Sequence, residues 1–126
     1  MSDASNKTAV LIAEDEAMLR FVAVETLRDE GFVVFEACDG ADALGVLREH
    51  PEIRLLISDI KMPRLGGYEL AEAALALRPA LKILLMTGYA QDPSPAFVQS
   101  AGIPTLHKPF ELERLSHLAG ELLGAA

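Results

Sequence analysis

The stretch Arg54-Leu55-Leu56-Ile57-Ser58-Asp59-Ile60-Lys61-Met62-Pro63 decides how the chain is read. Leu55, Leu56 and Ile57 are consecutive apolar residues, not alternating ones. A strand covered on both faces requires this, and such strands belong to parallel sheets. The apolar run, Arg54–Ser58, gives way to an acidic residue and then a proline-containing turn, so Asp59 is delivered at the carboxyl end of a strand.

The same device recurs in both directions. Thr8–Ala13, Val33–Glu36, Lys82–Met86 and, more weakly, Pro104–His107 are short apolar runs, continuous at Leu11-Ile12 and Ile83-Leu84-Leu85. Between them the apolar period becomes helical. Leu19, Val22, Ala23 and Leu27 form a stripe closed by Gly31 at the C′ position. Asp39 caps a helix carrying Ala43, Leu44 and Leu47, which stops before Pro51. Leu70, Ala73, Ala74 and Leu77 follow, stopped by Pro79. Ser94 as N-cap with Pro95 at N1 opens a short helix with Phe97, Val98 and Ala101, closed by Gly102. Leu112, Leu115, Leu118, Ala119 and Leu122 make the last stripe. Five βα units in a row imply an α/β fold, a parallel sheet with helices on both faces. The expected organisation is one domain over 8–123, with short flexible tails at 1–7 and 124–126.

Composition narrows the function classes. Hydrophobic residues make up 51% of the 126, enough for a packed core and too many for a disordered chain. The formal charge of −8 argues against binding nucleic acid, whose phosphates are held by Lys and Arg, and favours a metal ion or a basic partner. The single Cys38 cannot form an internal disulfide and fits a reducing compartment. Residues 1–7 are polar and lack a signal-peptide core. No apolar run approaches the roughly 20 residues that cross a bilayer. The expectation is a cytoplasmic protein with no membrane partner.

In an open α/β sheet, ligands bind beyond the carboxyl ends of the strands. Read there, the chain offers Glu14-Asp15 after the first strand, Asp59 after the third, Thr87 after the fourth and Lys108 after the fifth. If the first and third strands are neighbours, as in the flavodoxin-like order, three carboxylates converge. Two unit charges about 5 Å apart at an effective dielectric of about 20 repel by roughly 3 kcal/mol, so a cation must offset them. Lys108 supplies one positive charge, and a hard divalent ion such as Mg²⁺, or Mn²⁺, supplies the rest. An anionic nucleophile, a metal, a lysine and a hydroxyl donor are the ingredients of phosphoryl transfer. Singly, each residue has an ordinary explanation: a solvated acidic turn, a turn-opening Asp, a local Thr hydrogen bond, a surface Lys. Their common position at one end of consecutive strands is what favours the functional reading.

At these residues the chain resembles the response-regulator receiver family, the chemotaxis-regulator-like fold. The matching stretches are Val10 to Glu16, Leu56 to Pro63 followed by Gly66-Gly67, Leu85 to Gly88, and His107 to Phe110, and the likeness runs from Thr8 to about Leu123. The resemblance implies a flavodoxin-like (βα)5 sandwich with strand order 2-1-3-4-5. It implies Asp59 as phosphoacceptor, Asp15 and Asp59 as direct metal ligands, Glu14 as a ligand largely through water, and the Lys61 carbonyl as a further ligand. Thr87 and Lys108 would bind phosphoryl oxygens, Lys108-Pro109 would be cis, and Gly88 would leave room for the donor. The Lys61 side chain would stand beside the acceptor, either pairing with the phosphoryl group or solvated.

One position departs from the family pattern. The strand-5 aromatic that swings inward on activation is replaced here by Thr105. The Thr87-Gly88-Tyr89 run resembles a subgroup lacking that aromatic, with Tyr89 either taking over its signalling role or only covering the site. His50, His107 and His117 form no ligand cluster, and Met18, Met62 and Met86 read as packing residues.

The expected function is a two-component receiver: not an enzyme but a switch that accepts a phosphoryl group from a histidine kinase or histidine phosphotransfer protein and acts on a further protein. The chain stops after its fifth helix without an output segment, which points to a stand-alone receiver; a module of a hybrid histidine kinase is the variant, against which the polar start argues. A degenerate receiver acting as a phosphorylation-independent binding module would lack one of the acceptor, the acidic pair or the lysine, and all are present. A flavodoxin would need a phosphate-cradling loop where Glu14-Asp15-Glu16 stand. A haloacid-dehalogenase-type phosphatase would need an Asp at Lys61.

Overall fold

The computed structural model describes residues 8–88 and 94–124. Five strands, β1 (Ala9–Ala13), β2 (Val33–Ala37), β3 (Ile53–Asp59), β4 (Lys82–Thr87) and β5 (Thr105–His107), alternate with five helices. The helices are α1 (Ala17–Asp29), α2 (Gly40–Glu49), α3 (Gly67–Leu77), α4 (Ala96–Ser100) and α5 (Leu112–Leu122). The sheet order is β2-β1-β3-β4-β5 and every pairing is parallel. This is the flavodoxin-like arrangement expected from the sequence.

The continuous apolar runs serve two cores at once. Leu11, Leu56, Ile83 and Leu85 point to one face and pack on Ala43 and Leu47 of α2, Leu70, Ala71 and Ala74 of α3, and Val98 of α4. Their neighbours Val10, Ile12, Leu55, Ile57, Leu84 and Met86 point to the other face, against Ala23, Val24 and Leu27 of α1 and Leu115 and Ala119 of α5. Each fully buried Leu or Ile contributes about 1.5–3 kcal/mol relative to exposure, which explains why β3 and β4 tolerate no polar alternation.

Local signals set the helix ends. Asp39 accepts the Asp42 backbone N–H at 2.8 Å and caps α2 as expected. Gly31 takes φ 97° and Gly102 takes φ 68°, the left-handed conformation that ends α1 and α4. The α4 start differs from expectation: Pro95, not Ser94, is the N-cap, with extended backbone at φ −61°, ψ 153° and no side-chain cap. On α3, Ala71 is buried and Leu77 is exposed, so its buried face is rotated from the stripe read in the sequence. At the end of α2, Arg78 reaches back from the end of α3. Its guanidinium donates to the carbonyls of Leu47 in the last turn of α2, His50 at 3.2 Å and Ile53, the first residue of β3, at 3.1 Å, which ties the end of α2 to the start of the strand. Of the expected tails only Gly124 is described, and Tyr89 lies outside the described residues.

Candidate functional site

β1 and β3 run side by side in register, Ala13 opposite Ser58. The residues that follow, Glu14-Asp15 and Asp59, are therefore placed together beyond the sheet. One carboxylate oxygen from each of Glu14, Asp15 and Asp59 lies within 4.8 Å of the others. Glu14 is 1% exposed and Asp59 7%, whereas Asp15 faces solvent. The sequence-derived trio thus forms one cluster with an inner and an outer side.

β5 brings the counter-charge. Lys108 Nζ donates to Asp59 Oδ2 at 2.9 Å and to Glu14 Oε1 at 3.5 Å. Its backbone N–H donates to the Thr87 carbonyl at 2.7 Å, so the ends of β4 and β5 are joined at the site. Lys108-Pro109 is cis. Thr87 is buried, and a Cβ on the next residue, Gly88, would meet nothing within 4 Å. Thr105 stands in β5 opposite Leu85, so no aromatic occupies that position.

Burial, reinforced by the negative charges of Asp59 and Asp15, pushes the Glu14 carboxyl up to about 7. The Glu16 N–H at 3.0 Å and the Lys108 ammonium oppose that rise without cancelling it. For Lys108, burial favours the neutral amine, but the hydrogen bond and charge of Asp59 and the charge of Glu14 outweigh it and raise its pKa. Three acids against one ammonium leave an excess of negative charge. The donors are all hard oxygens, which suits Mg²⁺ or Mn²⁺ and not a soft metal.

The loop after β3 forms the remaining wall. Asp15, Ile60, Lys61, Met62, Pro63, Tyr68 and Glu69 line an open groove of about 620 Å³ beside the cluster. Gly67 makes that approach possible: a Cβ there would lie 2.3 Å from the Asp59 carbonyl oxygen and 2.7 Å from Ile60 Cα.

Two arginines that the sequence did not single out support the site. Arg20 Nη1 donates to the Glu14 carbonyl at 2.7 Å, and its Nε to Glu36 at 3.3 Å, which fixes the end of β1 against β2. Arg64 pairs with Asp39 and holds that carboxyl below its usual range. Neither has a local signal, because the partner carbonyl of Arg20 could be any residue and the partner of Arg64 is 25 positions away. The histidines are dispersed as expected: His50 packs against Phe35 with ring centroids 4.3 Å apart and the planes tilted by 39°, His117 pairs with Glu121, and His107 is exposed.

Residues 10–119 match the family model of the response regulator receiver domain. The chain is 37% identical over 120 residues to the response regulator receiver protein CpdR of Brucella abortus (strain 2308), covering 93% of this chain and 98% of that protein. It is 33% identical over 127 residues to the sensor kinase CckA of the same strain, covering 97% of this chain but only 13% of that kinase. Among solved structures, a CheY-like response regulator receiver domain protein from Methanospirillum hungatei JF-1 superposes with a TM-score of 0.85 at 30% identity, over 94% of this chain and 95% of that one. Among the described residues, no helix is long and apolar enough to cross a membrane.

Proposed function

The chain belongs to the response regulator receiver domain family and serves as a receiver in two-component signal transduction, and on that premise we propose that it accepts a phosphoryl group on Asp59 in a reaction dependent on Mg²⁺ or Mn²⁺. The observation that carries this reading is the Lys108 ammonium, 2.9 Å from Asp59, inside a cluster of three carboxylates. Glu14, Asp15, Asp59 and the backbone carbonyl of Lys61 would hold the ion. When bound, the ion neutralises charge on the phosphoryl oxygens.

The protein's own groups do the rest. A carboxylate oxygen of Asp59 attacks phosphorus, the donor's P–N bond breaks, and its electron pair stays on the imidazole. Lys108 shifts its ammonium from carboxylate to phosphoryl oxygen, and Thr87 donates its hydroxyl to another. The same groups serve the later loss of the phosphoryl group to water. The donor is a histidine kinase or a histidine phosphotransfer protein, and the recipient of the signal is a further protein. A phosphorylation-independent binding module is not favoured, because acceptor, acidic pair and lysine all stand at one site.

Intact-mass measurement after treatment with acetyl phosphate and Mg²⁺ tests the reading. One phosphoryl adduct is expected on the wild-type chain, none with chelator and none on Asp59→Asn. Equal modification of wild type and Asp59→Asn would overturn the assignment.

A further inference from the structure

The loop of residues 60–66 carries Lys61 and is held by a pair of residues that are not members of the carboxylate cluster. Arg64 Nε donates to Asp39 Oδ2 at 2.9 Å, and its Nη2 lies 2.8 Å from the same oxygen. Asp39 is itself fixed, because its side chain is 8% exposed and its Oδ1 accepts the Asp42 N–H at the start of α2. Arg64 adopts φ 69°, a left-handed backbone that a non-glycine residue holds only against strain. The adjoining residue is pressed against the same helix: a Cβ on Gly40 would lie 2.2 Å from the Leu65 carbonyl oxygen. Two consecutive loop residues are thus tied to the start of α2, one by charge and one by close packing. The far end closes on itself, with the Gly67 N–H donating to the Ile60 carbonyl at 2.8 Å.

We propose that Arg64 is a positioning residue for the metal site: paired with Asp39, it fixes the loop of residues 60–66 so that the Lys61 carbonyl is held in place for the ion bound by Asp15 and Asp59. The inference rests on the metal-dependent reading given above. Neither Arg64 nor Asp39 belongs to the acidic cluster, so their effect on the ion passes through the loop. A strained backbone conformation at a position where glycine would be free of strain is consistent with a residue kept for its guanidinium.

The test measures Mg²⁺ binding to the full chain by amide-NMR titration, and acetyl-phosphate-dependent phosphorylation across the same titration, for wild type, Arg64→Gln, Asp39→Asn and the double variant. Asn remains a good helix cap, so Asp39→Asn removes the charge and keeps the α2 terminus. Each single variant is expected to need about fivefold more Mg²⁺ for half-maximal binding and for half-maximal rate, the scale of one partly exposed ion pair. The double variant should show no further shift, and the rate at saturating Mg²⁺ should match wild type. Arg64→Gly, which suits the left-handed backbone, should show the same Mg²⁺ shift as Arg64→Gln. Wild-type Mg²⁺ midpoints in Arg64→Gln and Asp39→Asn would overturn the inference alone, as would a double variant equal to the sum of the singles. Chelator-insensitive phosphorylation of the wild type would overturn this inference together with the metal-dependent reading.

Discussion

Glu14 and Lys108 lie 94 positions apart in the chain, yet their charged ends meet at 3.5 Å over the carboxyl edge of the sheet. The contact closes the first strand's end on the last one's, with Asp59 between them at 2.9 Å from the same ammonium. Lys108→Ala is therefore expected to push the Glu14 carboxyl above about 7, since it deletes an opposing positive charge. Carboxyl-carbon NMR titration checks this, and acetyl-phosphate labelling of the same variant should be slower by at least about tenfold.

A pH dependence follows for the metal-free protein. Glu14 moves from 4.5 to about 7 on folding, so between those values the folded chain binds a proton that the unfolded chain has released. Its contribution is favourable below about 4.5 and is lost as pH rises to about 7. The expected decline is on the order of 1–3 kcal/mol, reduced from full linkage because solvent reaches the outer side of the cluster. Urea denaturation in chelator at a series of pH values should show it, and Glu14→Gln should remove it.

Arg78→Ala tests the cross-helix cap. The substitution removes the guanidinium from the carbonyls of Leu47, His50 and Ile53, of which His50 keeps the Ile53 N–H at 3.1 Å. A loss of about 1–3 kcal/mol in urea denaturation is expected, with labelling of Asp59 unaffected because the cap lies at the amino end of β3. Loss of labelling without loss of stability would contradict this role.

Two glycine substitutions should act in opposite directions. Gly45 sits within α2 with nothing within 4 Å of an added Cβ, so Gly45→Ala should stabilise by about 0.5–1 kcal/mol. Gly67→Ala drives a Cβ into the Asp59 carbonyl and should destabilise by about 1–3 kcal/mol while also lowering labelling at Asp59. Thermal unfolding and intact mass on the same samples report both effects.

The sheet was legible because strands covered on both faces leave continuous apolar runs, and because caps such as Asp39 and Gly31 act within a few residues. What escaped was either ambiguous in type or distant in sequence. Alanine counts as apolar on any helical face, so the periodicity runs through Ala73, whereas the residue buried in α3 is Ala71. A strand reading that follows apolar residues stops at Ser58 and Met86, whereas β3 and β4 run on through Asp59 and Thr87, whose backbones remain paired in the sheet. The four sites at the strand ends were readable by type and position. Arg20, Arg64 and Arg78 were not, since a long cation can reach many carbonyls and no periodicity marks the one it finds.

The sheet is unequal across its width. Asp59 closes a seven-residue strand flanked on both sides, whereas the far margin consists of a three-residue β5 beside a five-residue α4. Backbone amides at β5 and α4 are therefore expected to exchange with solvent sooner than those of β3, with the Thr87–Lys108 backbone bond joining the two regions. Amide exchange of the chain with and without a phosphoryl mimic would read whether that margin, and not β3, is where the fold yields.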